Sequence, residues 1–148
     1  MSSEVLLVQG MSISISDGEV TELTPSPEPT WHVLDCVSRE ITYNGGTATE
    51  NDVTTICSTA KEFRLGLQDS GTMSVTGHWK PGNAAHEEIK AAAADKLRRL
   101  IEVEFEDGSI FRALAYVSQR SWSAAVDGVV TATFNFRLTG ATSEVAAT

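Results

Sequence analysis

Residues 109–139 read SIFRALAYVSQRSWSAAVDGVVTATFNFRLT, and they decide the fold class. Val130, Ala132, Phe134, Phe136 and Leu138 fall at every second position, with Thr131, Thr133, Asn135 and Arg137 between them. A period of two with one apolar side is the pattern of a half-buried strand. Asp127-Gly128 stands between this run and residues 109–126, a second strand candidate. Asp-Gly between two such runs is a strong hairpin signal. Residues 100–106 alternate as well and lead into Asp107-Gly108, so three strands follow one another.

Working outward, Pro81-Gly82-Asn83 precedes a segment of different period. Ala85, Ile89, Ala92, Ala93 and Leu97 form a narrow stripe at helical spacing, which predicts a helix over 84–97. Asn83 is a suitable N-cap, Glu87 and Glu88 lie early, and Lys96, Arg98 and Arg99 lie late, as the helix dipole favours. Residues 72–80 alternate, with Met73, Val75 and Trp79 opposite Ser74, Thr76 and His78. Asp69-Ser70-Gly71 before them reads as a turn, and residues 61–67 as a short strand or helical turn.

The N-terminal part reads the same way. Met11, Ile13 and Ile15 alternate with serines up to Asp17-Gly18. Pro25, Pro27 and Pro29 make residues 24–30 an extended connector. Residues 31–43 and 53–58 read as strands, and the small polar residues 44–52 as a long mobile loop. Residues 1–9 are expected to be a flexible arm, 10–140 the single folded domain, and 141–148 a fraying tail. One helix interrupts the strands rather than alternating with them. The expected fold is therefore mainly β (α+β): an antiparallel β-sandwich or barrel with one flanking α-helix.

Composition narrows the function. The 148 residues suffice for one domain, and 41% of them are hydrophobic, enough for a core without disulfides or metal. The net charge of −9 argues against a domain that grips phosphate backbones. Eleven acidic and three basic residues fall in 1–75, against nine and eight in 76–148. Ser and Thr make up thirty-one positions, so the surface is rich in hydroxyls. No stretch approaches the ~18 apolar residues of a membrane span, and the first ten residues lack the basic start of a signal peptide. Cys36 and Cys57 read as reduced, half-buried thiols in strands; a disulfide needs those strands to be neighbours.

Nothing in the sequence assembles into a catalytic, cofactor or metal site. His32, His78 and His86 form no HExxH pattern, and there is no GxSxG elbow, phosphate loop or dinucleotide fingerprint. Glu104 and Glu106 read as a solvated strand edge rather than an acid–base pair. Trp31, Trp79 and Trp122 read as packing residues; a carbohydrate-binding sandwich would instead align two or three of them on one face.

The order of these elements resembles the tail tube proteins of long-tailed bacteriophages, in particular the lambda-like siphophage group. The likeness is carried by Lys61-Glu62-Phe63-Arg64-Leu65-Gly66-Leu67 through Asp69 and Gly71 to Trp79, by the helix 84–97, by Glu106-Asp107-Gly108-Ser109, and by the closing run 129–140. It implies six-fold rings stacked into a hollow tube through which DNA enters the host. The implied partners are the chain itself and the tape-measure, terminator and baseplate or distal tail proteins. It also implies no cofactor, no membrane, and a place in the virion after synthesis in the bacterial cytoplasm. A loop bridging subunits or rings would fall at Asn44, Gly45, Gly46, Thr47, Thr49, Glu50, Asn51 and Asp52. Hydroxyl-bearing or acidic residues lining the lumen would be Asp35, Glu40, Ser74, Thr76, Thr131 and Thr133, with Arg39 and Arg137 pairing acids across subunits. A type VI secretion tube or another tail ring component shares the fold.

Overall fold

The computed structural model describes residues 11–34, 38–126 and 128–146. Nine strands and one helix follow in the order β1 (Ser12–Ser16), β2 (Trp31–Val33), β3 (Ser38–Asn44), β4 (Ala48–Asp52), β5 (Phe63–Gln68), β6 (Thr72–His78), α1 (Ala84–Asp95), β7 (Arg99–Glu104), β8 (Ile110–Ser123) and β9 (Thr131–Val145). Seven strands form one antiparallel sheet in the order β2-β1-β7-β8-β9-β6-β3, and among the described residues β4 and β5 pair only with each other. The expected mainly β fold with one flanking helix is what the chain adopts.

The alternation read from the sequence becomes the core. Ile13 and Ile15 of β1, Ile101 and Val103 of β7, Phe111, Ala113 and Ala115 of β8, and Ala132, Phe134, Phe136 and Leu138 of β9 point to one side. Met73 and Val75 of β6 join the same cluster, so the sheet curls until its two halves share one interior. Tyr43 of β3 reaches Phe111 of β8, with ring centroids 4.8 Å apart. The helix seals one end of this interior with Ala85 and Ile89. Burial of these side chains, each worth about 1.5–3 kcal/mol for the larger ones, is the main stabilising term.

The opposite face is covered over only half its width. Over β7 and the start of β8, the connector 17–30 supplies Val20 and Leu23, which pack on Leu100 and Leu114 with Trp31. Arg112 threads this layer. Its guanidinium lies 5.6 Å from the Trp31 ring centre, donates to Leu23 O at 3.0 Å and pairs with Glu102 at 3.3 Å. Among the described residues the other half, over β3, β6, β9 and the end of β8, carries no such cover.

Several boundaries differ from expectation. The helix ends at Asp95, with Lys96 as a left-handed C-cap, so the basic residues meant for its last turn lie beyond it. Buried Arg99 starts β7 and pairs with Glu88 at 2.5 Å and Asp95 at 2.8 Å, pinning the helix to the sheet. Residues 44–52 are not one loop. They contain β4, while residues 53–58, expected as a strand, are irregular. Residues 61–67 fall largely in β5, the strand alternative of the two. The closing strand runs to Val145, paired with Ile110, where a fraying tail was expected from 141. Backbone pairing with β8 holds this end, although its sequence offers little apolar signal. The arm expected at 1–9 lies outside the described residues.

Candidate functional site

Two features stand out: an uncovered polar sheet face and an arm with exposed apolar side chains. The face follows from strand register. Glu40 of β3 pairs with Thr76 of β6, Thr76 with Thr133 of β9, and Thr133 with Ser121 of β8. Directly paired residues project to the same side of a sheet. A second row runs Thr42, Ser74, Asn135, Gln119, and a third runs His78, Thr131, Ser123. The rows are tied together by Asn135 Nδ2 donating to Gln119 Oε1 at 3.2 Å and by the Ser123 and Thr131 hydroxyls 3.1 Å apart.

Five of the six residues expected to share a polar lining thus lie on one face: Glu40, Ser74, Thr76, Thr131 and Thr133. Asp35 lies outside the described residues, as does Cys36. Asn135, read on the polar side of its strand, belongs to the same face, as do Thr42, Gln119, Ser121 and Ser123, which were missed. Their signal was the strand register, which alternation within single segments does not provide.

The face is less acidic than the charge skew suggested. Its carboxylate is Glu40. Arg137, expected to pair across subunits, instead binds Asp69 of the same chain at 2.6 Å. The Gly71 N–H first, and Arg137 second, hold the Asp69 carboxyl below its ordinary 3.8. The acidic excess of residues 1–75 sits instead in the connector (Asp17, Glu19, Glu22, Glu28) and in the arm (Glu50, Asp52, Glu62). The face is therefore an almost neutral field of hydroxyls and amides.

The arm lies between β3 and β6. Its base is closed by Asp69 N donating to Thr47 O, by Ser70 Oγ donating to Gly140 O, and by Leu138 N donating to Gly71 O. Beyond the base every residue of β5 is exposed. Leu67 is 98% exposed, Leu65 70% and Ile56 103%. Cys57, expected to be half-buried in a strand, is exposed at the arm tip. The expected loop residues Asn44, Gly45, Gly46 and Thr47 form the base, and Thr49, Glu50, Asn51 and Asp52 lie in β4.

At the far end of the sheet Trp79 and Trp122 approach to 6.4 Å between ring centres. Trp122, expected to be a packing residue, is 61% exposed. Trp31 lies on the other side of the sheet under Arg112, so the three tryptophans do not share a binding face. His86 is buried between Trp79 and Phe134, and burial pushes its pKa below the usual 6.5. Asp17, His32 and Glu88 bring possible ligand atoms within 4.8 Å of one another. The Glu88 carboxylate there is committed to Arg99 and to the Gly18 N–H at 2.9 Å, so the group acts as an ion-pair network.

A half-covered sheet, strand edges without neighbours among the described residues and an arm with exposed apolar side chains are features that a self-assembling structural subunit presents. Comparison with known proteins supplies the family. The model of the phage tail tube protein family matches residues 27–144, and the chain belongs to that family. It is a structural subunit of a virion tail. The fold is similar to a chain of the native gene transfer agent virion, with TM-score 0.68 and 17% identity over 96% of this chain and 100% of that one. It is also similar to the SPP1 tail tube (0.59, 14%, 95% and 78%). A third likeness is to the sheath/tube terminator structure of the extracellular contractile injection system PVC (0.67, 6%, 99% and 100%). Among curated protein sequences none matches the chain.

Proposed function

We propose that six copies close into a ring, that rings stack into a hollow tube, and that the polar face lines the lumen through which DNA passes. The observation that carries this is the four-stranded polar face of β3, β6, β9 and the end of β8. Its two margins are free: β3 has no further neighbour among the described strands, and residues 116–123 of β8 extend beyond β7. Joining one copy's β3 margin to the next copy's β8 margin would satisfy both edges and continue the polar face around a ring. A lining of hydroxyls and amides, in which Arg137 is already paired to Asp69, offers duplex phosphates little to bind.

The arm, with Asn44, Gly45, Gly46, Thr47, Thr49, Glu50, Asn51 and Asp52 on its first half, serves as the bridge to a neighbouring subunit or ring. The tape-measure, terminator and baseplate or distal tail proteins are the expected partners. The tail tube family supports reading the chain as a subunit that acts by assembly rather than by catalysis. The likeness to a terminator structure favours one second reading, a single ring at the end of a tube. Negative-stain electron microscopy of the purified protein separates these. Stacked tubes are expected, single rings support the terminator reading, and monomers at high concentration across salt conditions overturn both.

A further inference from the structure

The arm and the tryptophan cleft are complementary and lie at opposite ends of the molecule. Asp52 pairs with Phe63 and Glu50 with Leu65, so two acids and two large apolar side chains share one face of the arm. Among the described residues nothing covers them. A surface of this kind fits a partner that is apolar at its centre and basic at its rim. The cleft has that character: Trp79 and Trp122 form its floor, Lys90 and Arg120 flank it, and Glu87 is its acid. Its volume is about 280 Å³.

The ends are set by register. The arm leaves the sheet where Asn44 pairs with Thr72, and the cleft lies where His78 pairs with Thr131. Between Thr72 and His78 the strand spans about 20 Å at ~3.3 Å per residue. Complementary surfaces at opposite ends would close off in an antiparallel two-fold pair, whereas in a tube whose rings all stack in one direction they meet along the axis. There they join head to tail, and that contact propagates. We propose that the acidic apolar face of the arm of one copy seats on the Trp79–Trp122 cleft of the next copy along the tube. This contact rests on the tube reading and gives it a specific longitudinal interface.

Cys57 next to Ile56 provides the test. In the Glu87→Cys variant, mild oxidation of assembled tubes is expected to give a covalent ladder of three or more chains, because each chain brings one arm and one cleft. Adding Cys57→Ser should abolish the ladder. Reversing the arm charges with Glu50→Lys and Asp52→Lys should shorten tubes about tenfold, and Lys90→Glu with Arg120→Glu should restore them. Wild-type tubes without a ladder in Glu87→Cys, a ladder that survives Cys57→Ser, or charge-reversed arms that polymerise as wild type each overturn the contact while leaving the tube reading intact. A wild-type protein that never stacks overturns the tube reading and the contact with it.

Discussion

Gly71 occupies a position that a β-carbon cannot share. Its φ is +97°, and a Cβ placed there would lie 1.9 Å from Asn44 O. Gly71→Ala is expected to cost about 3 kcal/mol, from left-handed strain and the clash together. Gly18 has φ +74° with nothing within 4 Å, so Gly18→Ala should cost only about 1 kcal/mol. Urea denaturation of the two variants checks the contrast. Asp69-Ser70-Gly71 was legible as a turn, but the approach of residue 44 is a tertiary contact that no local pattern carries. His86 gives a pH prediction. Its folded pKa lies below 6.5, so the unfolded chain takes up a proton first. Stability from this residue is fully present above pH 6.5 and falls as pH drops below it. His86→Gln should flatten that part of the stability–pH curve; an unchanged slope between pH 6.5 and 5 would contradict the assignment.

The helix shows what sequence signals fix and what they leave open. Asn83 caps it as expected, accepting from Ala85 N at 2.9 Å and His86 N at 3.3 Å. Asn83→Ala should cost about 1 kcal/mol in thermal unfolding. The end was misplaced because the stripe of small residues runs on to Leu97, while Lys96 turns left-handed with φ 59°. Lys96→Gly relieves that conformation and should gain about 0.5 kcal/mol by the same measurement. The three C-terminal strands were legible because each keeps a period of two on its core face, although β7 and the start of β8 also bury Leu100 and Leu114 on the other. β4 was not, because Ala48–Asp52 buries neither face and leaves backbone pairing as its only local support. The end of β9 was missed for a similar reason. Residues 142–145 pair with 110–113 past an irregularity beside Gly140, and Ala-Thr-Ser-Glu-Val (141–145) offers no stripe to follow.

At the scale of the molecule, the sequence carried the polar side of each strand but not the plane that unites them. Ser74, Thr76, Thr131 and Thr133 were each readable as solvent-facing. Only the pairing of β6 with β9 makes them one surface. The acidic excess lies mainly off this face for a physical reason. Acids accumulate in the connector and arm, where no apolar pattern competes, and the sheet face stays nearly neutral. A lumen built on that face predicts a separation of assembly from transit. Thr76→Lys with Thr133→Lys places new cations on the face and leaves the core untouched. Tubes of normal diameter should still form, and particles carrying them should release DNA more slowly, most of all at low salt. Electron microscopy and a time course of DNA release check the two parts. Release at the wild-type rate would place this face outside the channel.

The pairing of Glu50 with Leu65 and Asp52 with Phe63 also bears on the subunit before it finds its place. A free hairpin with bare leucines is a hazard for tangling with its own kind. When two such hairpins meet face to face, four carboxylates are driven together as the greasy side chains touch. On the proposed contact the acids would act as gatekeepers. They would hold free subunits apart until a growing end presents the basic rim of the cleft, and so favour polymerisation at the tip of an existing structure.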